Sequence, residues 1–151
     1  NFPPLRDMRQ DLIPAAEQKF KVEAAGGNVS FSGVVDLMVG RPTKAVASRL
    51  LIDHKTGGAR PEFVEDMRFY ALLQTLRRGE PPYRVASYFV ETGEWRAEDV
   101  TARVLEHAAD RAATAARLAI AISEGDAPSS LTPGPYCSWC PRAKTCPSSA
   151  A

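Results

Sequence analysis

The chain has 151 residues, of which 44% are hydrophobic and 25% are charged, and its net charge is +1. This length suits one domain with a real core, and the composition is that of a globular protein. No apolar run approaches the roughly 20 residues that cross a bilayer, and no signal peptide is visible, so we expect a cytoplasmic protein that is not in a membrane.

The N-terminal part predicts a helical tail followed by a β-hairpin. Residues 1–14 have loosely helical spacing and end at a proline, which stops a helix. Glu17–Ala24 alternates apolar and charged side chains, and Val29–Val39 follows after a Gly-Gly-Asn turn. Two alternating runs joined by such a turn predict paired strands.

The middle of the chain predicts a strand, a helix and a second hairpin. The loop 40–48 leads into a strand over Arg49–Asp53, and a helix begins near Pro61 and ends near Arg78. Proline is well tolerated in a first helical turn. Arg84–Val90 and a short strand through Trp95 form the hairpin.

The C-terminal part predicts a long helix and a cysteine segment. Residues 101–124 are rich in alanine and carry an apolar stripe, which indicates an amphipathic helix that packs across the sheet. A loop rich in Pro, Ser and Gly then leads to Cys137, Cys140 and Cys146.

Two acids and one lysine stand out because each lies at the end of an apolar strand. Asp36 follows one such run, and Asp53 and Lys55 end the next. Alternation along a strand points Asp53 and Lys55 to one face and His54 to the other. If the two strands pair, this constellation could hold a hard divalent cation beside a phosphate. A salt bridge on a solvated rim is the alternative.

The cysteines have the spacing of a metal site. Two residues separate Cys137 from Cys140, which lets both thiolates grip one metal or cluster. A disulfide is disfavoured, because three cysteines leave one over and no export signal is visible. Inert thiols remain the other alternative.

Asp36 followed by Asp53, His54, Lys55, Thr56 and Gly57 resembles the catalytic signature of the PD-(D/E)XK nucleases, in the D-x-K-T-G form of their RecB-like branch. Asp66 and Tyr70 occupy the place of that branch's Q-x-x-x-Y motif. The three cysteines are similar to the C-terminal cysteine cluster of its iron–sulfur members.

The resemblance implies an α/β fold similar to the restriction-endonuclease-like core, a mixed central sheet flanked by helices on both sides. It assigns residues 1–125 to the nuclease core and 126–151 to a cysteine-cluster segment of the same domain. The implied activity is a Mg²⁺- or Mn²⁺-dependent deoxyribonuclease, an exonuclease in DNA repair or recombination, associated with the nucleoid.

The resemblance also implies roles for individual residues. Asp36 and Asp53 are the expected metal ligands, together with the backbone carbonyl of His54. Lys55 is expected to orient or deprotonate the attacking water. Glu17 resembles a strand-opening acid of the family and is either a further ligand or a surface charge. Tyr70 and Arg68 are expected to contact DNA or to position Lys55. The alternative for Tyr70 is a core aromatic.

The same resemblance implies a [4Fe–4S] cluster on Cys137, Cys140 and Cys146, with a fourth cysteine upstream. No other cysteine is present, so the fourth ligand precedes Asn1, another group replaces it, or the site holds Zn²⁺. Two other functions stay open. One is a DNA-binding module that does not cut, inside a larger helicase–nuclease complex, and the other is a zinc-stabilised interaction domain.

Overall fold

The computed structural model describes residues 13–41 and 47–148. The predicted N-terminal tail therefore lies almost entirely outside the described residues. The chain divides into two compact units, Asn1–Thr114 and Ala115–Ala151. The helices and strands are β1 Ala15–Ala24, β2 Val29–Val39, β3 Leu50–Lys55, α1 Glu62–Arg78, β4 Arg84–Phe89, β5 Glu94–Asp99 and α2 Ala102–Glu124.

The first unit contains a five-stranded sheet in the order β1-β2-β3-β4-β5. All neighbouring strands are antiparallel except β3 and β4, which run parallel. Parallel neighbours need a crossover connection, and α1 supplies it. This mixed α/β sheet confirms the predicted fold class.

The main core lies between α1 and one face of the sheet. Its buried residues come from β1 to β4 and from α1: Phe20, Val35, Met38, Leu51, Met67, Ala71, Leu73 and Val85. Leu105 in the first turn of α2 packs against the same cluster. Gly79, with φ of +70°, ends α1 in the left-handed conformation that glycine adopts without strain.

The other face of the sheet carries a smaller cluster of Leu37, Ile52 and Tyr88. Val39 and Leu50, which are partly buried, pack against this cluster.

The strand β3 extends further than predicted. It ends at Lys55 and not at Asp53, because it pairs in parallel with β4 as far as Lys55 opposite Phe89. Asp53, His54 and Lys55 are therefore all held by a strand that has neighbours on both sides. The pairing of β3 with β4 therefore fixes the directions in which the side chains of Asp53 and Lys55 point.

In the second unit, α2 ends at Glu124 and two short 3₁₀ turns follow, over Pro135–Trp139 and Ala143–Thr145. The cysteines lie in and just after these turns. Among the helices of the described ranges, none is both long enough and apolar enough to cross a membrane.

Candidate active site

Asp53 and Lys55 form a largely buried ion pair on the face of β3 that α1 covers. Lys55 Nζ lies 2.8 Å from Asp53 Oδ2, and the two side chains are 14% and 9% exposed. Leu51, two residues before Asp53, belongs to the main core, so strand alternation carries the core face directly into this pair. His54 points to the opposite face, where its ring packs edge-on against Tyr88.

Asp36 lies at the same end of the sheet, on the neighbouring strand. The pairing of β2 with β3 ends at Leu37 and Ile52, and Asp36 and Asp53 are the next residues of the two strands beyond that last pair. The backbone N–H of His54 donates a hydrogen bond to Asp36 Oδ2 at 2.7 Å, and His54 Nδ1 lies 3.4 Å from the same oxygen. Asp36 is thus fixed by β3 but keeps a partly exposed carboxylate.

Glu17 lies across from Asp36 on β1. The β1–β2 ladder pairs Ala16 with Leu37 and Gln18 with Val35, and the position between them, Glu17 opposite Asp36, is unpaired. Glu17 is exposed and has a φ of +48°, a left-handed conformation that is uncommon for a residue other than glycine. The structure brings Glu17 to the strand position next to Asp36, and its role as a further ligand stays a prediction.

Helix α1 closes the site above Lys55. Its ammonium lies 3.4 Å from Asp66 Oδ2 and 4.3 Å from the centre of the Phe63 ring. The acid that replaces the family's glutamine therefore pairs with Lys55. Sequence reasoning missed Phe63, although an aromatic residue in the first turn of a helix that follows the signature was a signal for it.

Arg68 does not contact Lys55. Its guanidinium binds Glu98 at 2.6 Å and Glu65 at 3.0 Å, which occupies the group that we expected to position Lys55. Glu65 also accepts contacts from His107 and Arg111 at the start of α2. These charges form a network that joins α1, β5 and α2 beside the site.

Tyr70 belongs both to the core and to the site. Its ring packs so closely on Gly33 that a Cβ there would lie 2.7 Å from Tyr70 Cε1. Burial, and next the negative charge of Asp53, raise the pKa of the Tyr70 hydroxyl above its ordinary value of 10.0. The hydroxyl has no hydrogen-bond partner within residues 13–41 and 47–148, so it is available to a bound group.

The electrostatics of the site favour a bound cation. Burial raises the pKa of the Asp53 carboxyl above 3.8; Lys55 opposes this rise, and the charges of Asp36 and Asp66 add to it. Burial lowers the pKa of Lys55, but hydrogen bonds and charge interactions with Asp53 and Asp66 outweigh it, so that pKa lies above 10.5. The Lys55 ammonium thus pairs with two carboxylates, those of Asp53 and Asp66, and the charge of Asp36 also acts on Asp53. A divalent cation would offset the excess negative charge.

The donor set suits Mg²⁺ or Mn²⁺ better than a metal that needs a full protein cage. Within the described ranges, no three His, Cys, Asp or Glu side chains form a metal-holding group. Mg²⁺ does not require one, because it is usually bound through one or two carboxylates, waters and substrate phosphates. Asp36 and Asp53 are the carboxylates that would hold such an ion, and this assignment stays a prediction.

The cysteine segment is compact but does not meet the needs of an iron–sulfur cluster. Cys140 donates its N–H to the Cys137 carbonyl at 3.3 Å, and Gly134 N–H approaches Cys137 Sγ at 3.3 Å. All three cysteines are half-buried. A [4Fe–4S] cluster is held by four thiolates, and the chain has three cysteines.

Comparisons with known proteins show the family to which the chain belongs. The chain matches the family model of the PD-(D/E)XK nuclease superfamily over residues 5–147. It therefore belongs to that superfamily, whose members typically use divalent metals. No curated protein matches it significantly.

Two solved structures share the fold. One is a candidate exonuclease from Eubacterium rectale, at 11% identity and a TM-score of 0.50, with 83% of this chain and 56% of that chain covered. The other is the protein SSO0001, at 15% identity and a TM-score of 0.52, with 91% and 61% covered. The chain thus spans less than two thirds of either protein, and at these identities the likeness shows the fold alone.

Proposed function

We propose that this chain hydrolyses phosphodiester bonds of DNA with Mg²⁺ or Mn²⁺ held by Asp36 and Asp53. The observation that carries the proposal is the buried Asp53–Lys55 pair, whose Nζ and Oδ2 are 2.8 Å apart at the sheet end where Asp36 also lies. Taking an acid out of water is costly unless it is paired or binds a cation, so this arrangement favours a functional site.

The residues of the chain divide the work of hydrolysis between them. A divalent cation, when bound, activates water and offsets charge on the phosphate. Asp36 and Asp53 hold it. Lys55, whose Nζ lies 2.8 Å from Asp53 Oδ2, can donate hydrogen bonds and positive charge to the phosphate oxygens. We infer that Lys55 orients or deprotonates the attacking water and offsets charge that develops on the phosphate.

We also infer membership of the RecB-like branch, exonuclease action and a role in DNA repair or recombination at the nucleoid. The D-x-K-T-G signature at Asp53–Gly57 supports the branch. The description of one similar fold as a candidate exonuclease supports the second inference. A helicase subunit or a further part of a longer chain is the partner that these inferences imply.

For the cysteine segment we propose a structural metal site separate from hydrolysis. The turn that links Cys137 to Cys140 supports it, because it draws two cysteines of the C-x₂-C spacing together. Zn²⁺ or an iron–sulfur cluster with a fourth ligand from outside this chain would satisfy that spacing.

The test is a cleavage assay on labelled single- and double-stranded DNA with Mg²⁺, Mn²⁺ or chelator. Lys55→Ala is expected to lower cleavage by at least about 100-fold, the usual loss for one charge-stabilising donor. Lys21→Ala, which breaks an exposed Lys–Glu pair at 2.9 Å on β1, is the matched control and should cleave normally. DNA binding without cleavage by the wild type, unchanged in Lys55→Ala, would instead support the binding module.

A further inference from the structure

A cavity of about 370 Å³ opens between α1 and the strands β4 and β5, next to the Asp53–Lys55 pair. Its volume lies in the roughly 300 to 1,000 Å³ range of small-molecule pockets. Its walls include Phe63 and Met67 from the helix and Val85, Ser87 and Phe89 from β4. Most of the lining is therefore apolar.

The cavity continues the proposed site along the sheet. In the strand register Asp53 lies beside Ser87, and Ser87 lies beside Arg96. A second row sets Lys55 beside Phe89. Neighbouring strands are about 4.8 Å apart, so the cavity floor begins one strand away from the acid and the lysine.

The aromatic rings of the cavity also reach the lysine. The Phe63 ring lies under Lys55 Nζ at 4.3 Å, and the same ring is 6.2 Å from the Phe89 ring, centre to centre. Trp95 also lines the cavity, and its ring contacts that of Tyr88 at 4.7 Å, centre to centre. Phe63 and Phe89 thus form the aromatic wall that a planar ligand would meet.

Polar groups in the cavity are few and well placed. Ser87 is only 4% exposed, and its hydroxyl has no hydrogen-bond partner within the described residues. Arg60 and Arg96 line the cavity as cations, beside the anion Glu98. Arg96 pairs with Glu94 at 2.8 Å and lies 5.5 Å from the centre of the Phe89 ring. Ser87 lines the cavity, so its hydroxyl can bond to the edge of a ligand held there.

We infer that this cavity is a subsite for the nucleobase of the nucleotide whose phosphate lies at Asp53 and Lys55. The inference rests on the proposed function. The base stacks against Phe63 and Phe89, its edge bonds to the Ser87 hydroxyl, and Arg60 and Arg96 attract the next phosphate. A base enters only when it leaves the duplex stack, so the nucleotide at this position must be unpaired.

A single abasic site moved along a labelled single-stranded oligonucleotide tests the subsite on the wild-type protein. Cleavage with Mn²⁺ and binding in chelator are measured for each oligonucleotide. We expect one position, adjoining the scissile phosphate, at which loss of the base weakens both by roughly 10-fold, the typical effect of losing one stacked base. Equal values at all positions would overturn the inference.

Two variants place the effect in the cavity. Val64, which is partly exposed and lines the cavity, is changed to Trp to fill it. Leu76→Trp, at an exposed position of the same helix outside the cavity lining, is the matched control. We expect Val64→Trp to weaken binding of the intact oligonucleotide and to abolish the abasic effect, while Leu76→Trp changes neither. Equal behaviour of both would overturn the inference.

Ser87→Ala keeps the cavity open and removes one hydrogen bond, so we expect about 5-fold weaker binding of the intact oligonucleotide. The readouts also separate the two proposals. In one outcome, binding in chelator depends on the position of the abasic site, Val64→Trp removes this dependence, and the wild type does not cleave DNA. This outcome supports the subsite and refutes hydrolysis. Cleavage that ignores the abasic site supports hydrolysis and refutes the subsite.

Discussion

The backbone N–H of His54 donates a 2.7 Å hydrogen bond to the carboxylate of Asp36. This bond ties β2 to β3 at the sheet end where the Asp53–Lys55 pair lies. One carboxylate therefore has two tasks, since it satisfies a backbone donor and is also proposed to bind the cation.

These two tasks of Asp36 can be separated by substitution. Asp36→Asn keeps an oxygen that can accept from His54, so we expect unfolding free energy within about 0.5 kcal/mol of the wild type but at least about 100-fold less cleavage. Asp36→Ala removes the acceptor and should also cost about 1 to 2 kcal/mol of stability. Urea unfolding measures the stability of the variants, and calorimetric titration with Mn²⁺ measures cation binding. Normal Mn²⁺ binding by Asp36→Asn would contradict the assignment of Asp36 as a metal ligand.

The raised pKa of Asp53 predicts a pH dependence of stability in chelator. Between the unfolded pKa near 3.8 and the higher folded pKa, the folded state binds more protons than the unfolded state. Wild-type stability should therefore fall, relative to Asp53→Asn, as the pH rises through this window, and the difference should be constant above it. The charges of Lys55, Asp36 and Asp66 act on Asp53, so the comparison reports Asp53 together with these neighbours. A difference that does not vary with pH would contradict the raised pKa.

The close approach of Gly33 to Tyr70 predicts that adding one methyl group at position 33 destabilises the fold. In Gly33→Ala the new Cβ would lie 2.7 Å from Tyr70 Cε1, and overpacking of this kind costs about 1 to 3 kcal/mol. Tyr70→Phe keeps the ring, and we expect its stability to stay within about 0.5 kcal/mol of the wild type. Thermal unfolding of the two variants measures the contrast. Reduced cleavage by Tyr70→Phe would show that the hydroxyl acts on the substrate.

The cysteine segment predicts a metal that is independent of the nuclease site. Protein purified without oxygen should contain zinc or iron by elemental analysis, and iron–sulfur protein should absorb visible light. Cys140→Ser should lower the metal content and leave Mn²⁺ binding at Asp36 and Asp53 unchanged. Wild-type protein that contains no metal and has inert thiols would contradict the proposed metal site.

Part of the site follows from the sequence because the physics is local. Alternation in β3 is enough to place Asp53 and Lys55 together and His54 apart. The contacts that complete the site are long-range. Phe63 reaches Lys55 through the packing of α1, and Ser87 lies beside Asp53 through a parallel pairing 34 residues away along the chain. Periodicity does not encode that register, and it did not reveal that Glu98 and Glu65 hold Arg68.

The parallel neighbours β3 and β4 have a consequence for the order of folding. The hairpin β1–β2 closes over the four residues 25–28, so closing it costs little loop entropy. In contrast, β3 can pair with β4 only after the intervening α1 has formed. We expect the strand that carries Asp53 and Lys55 to be completed late. The proposed active site would then be complete only after the N-terminal hairpin has formed. A chain that is still folding would therefore not yet cut nucleic acid.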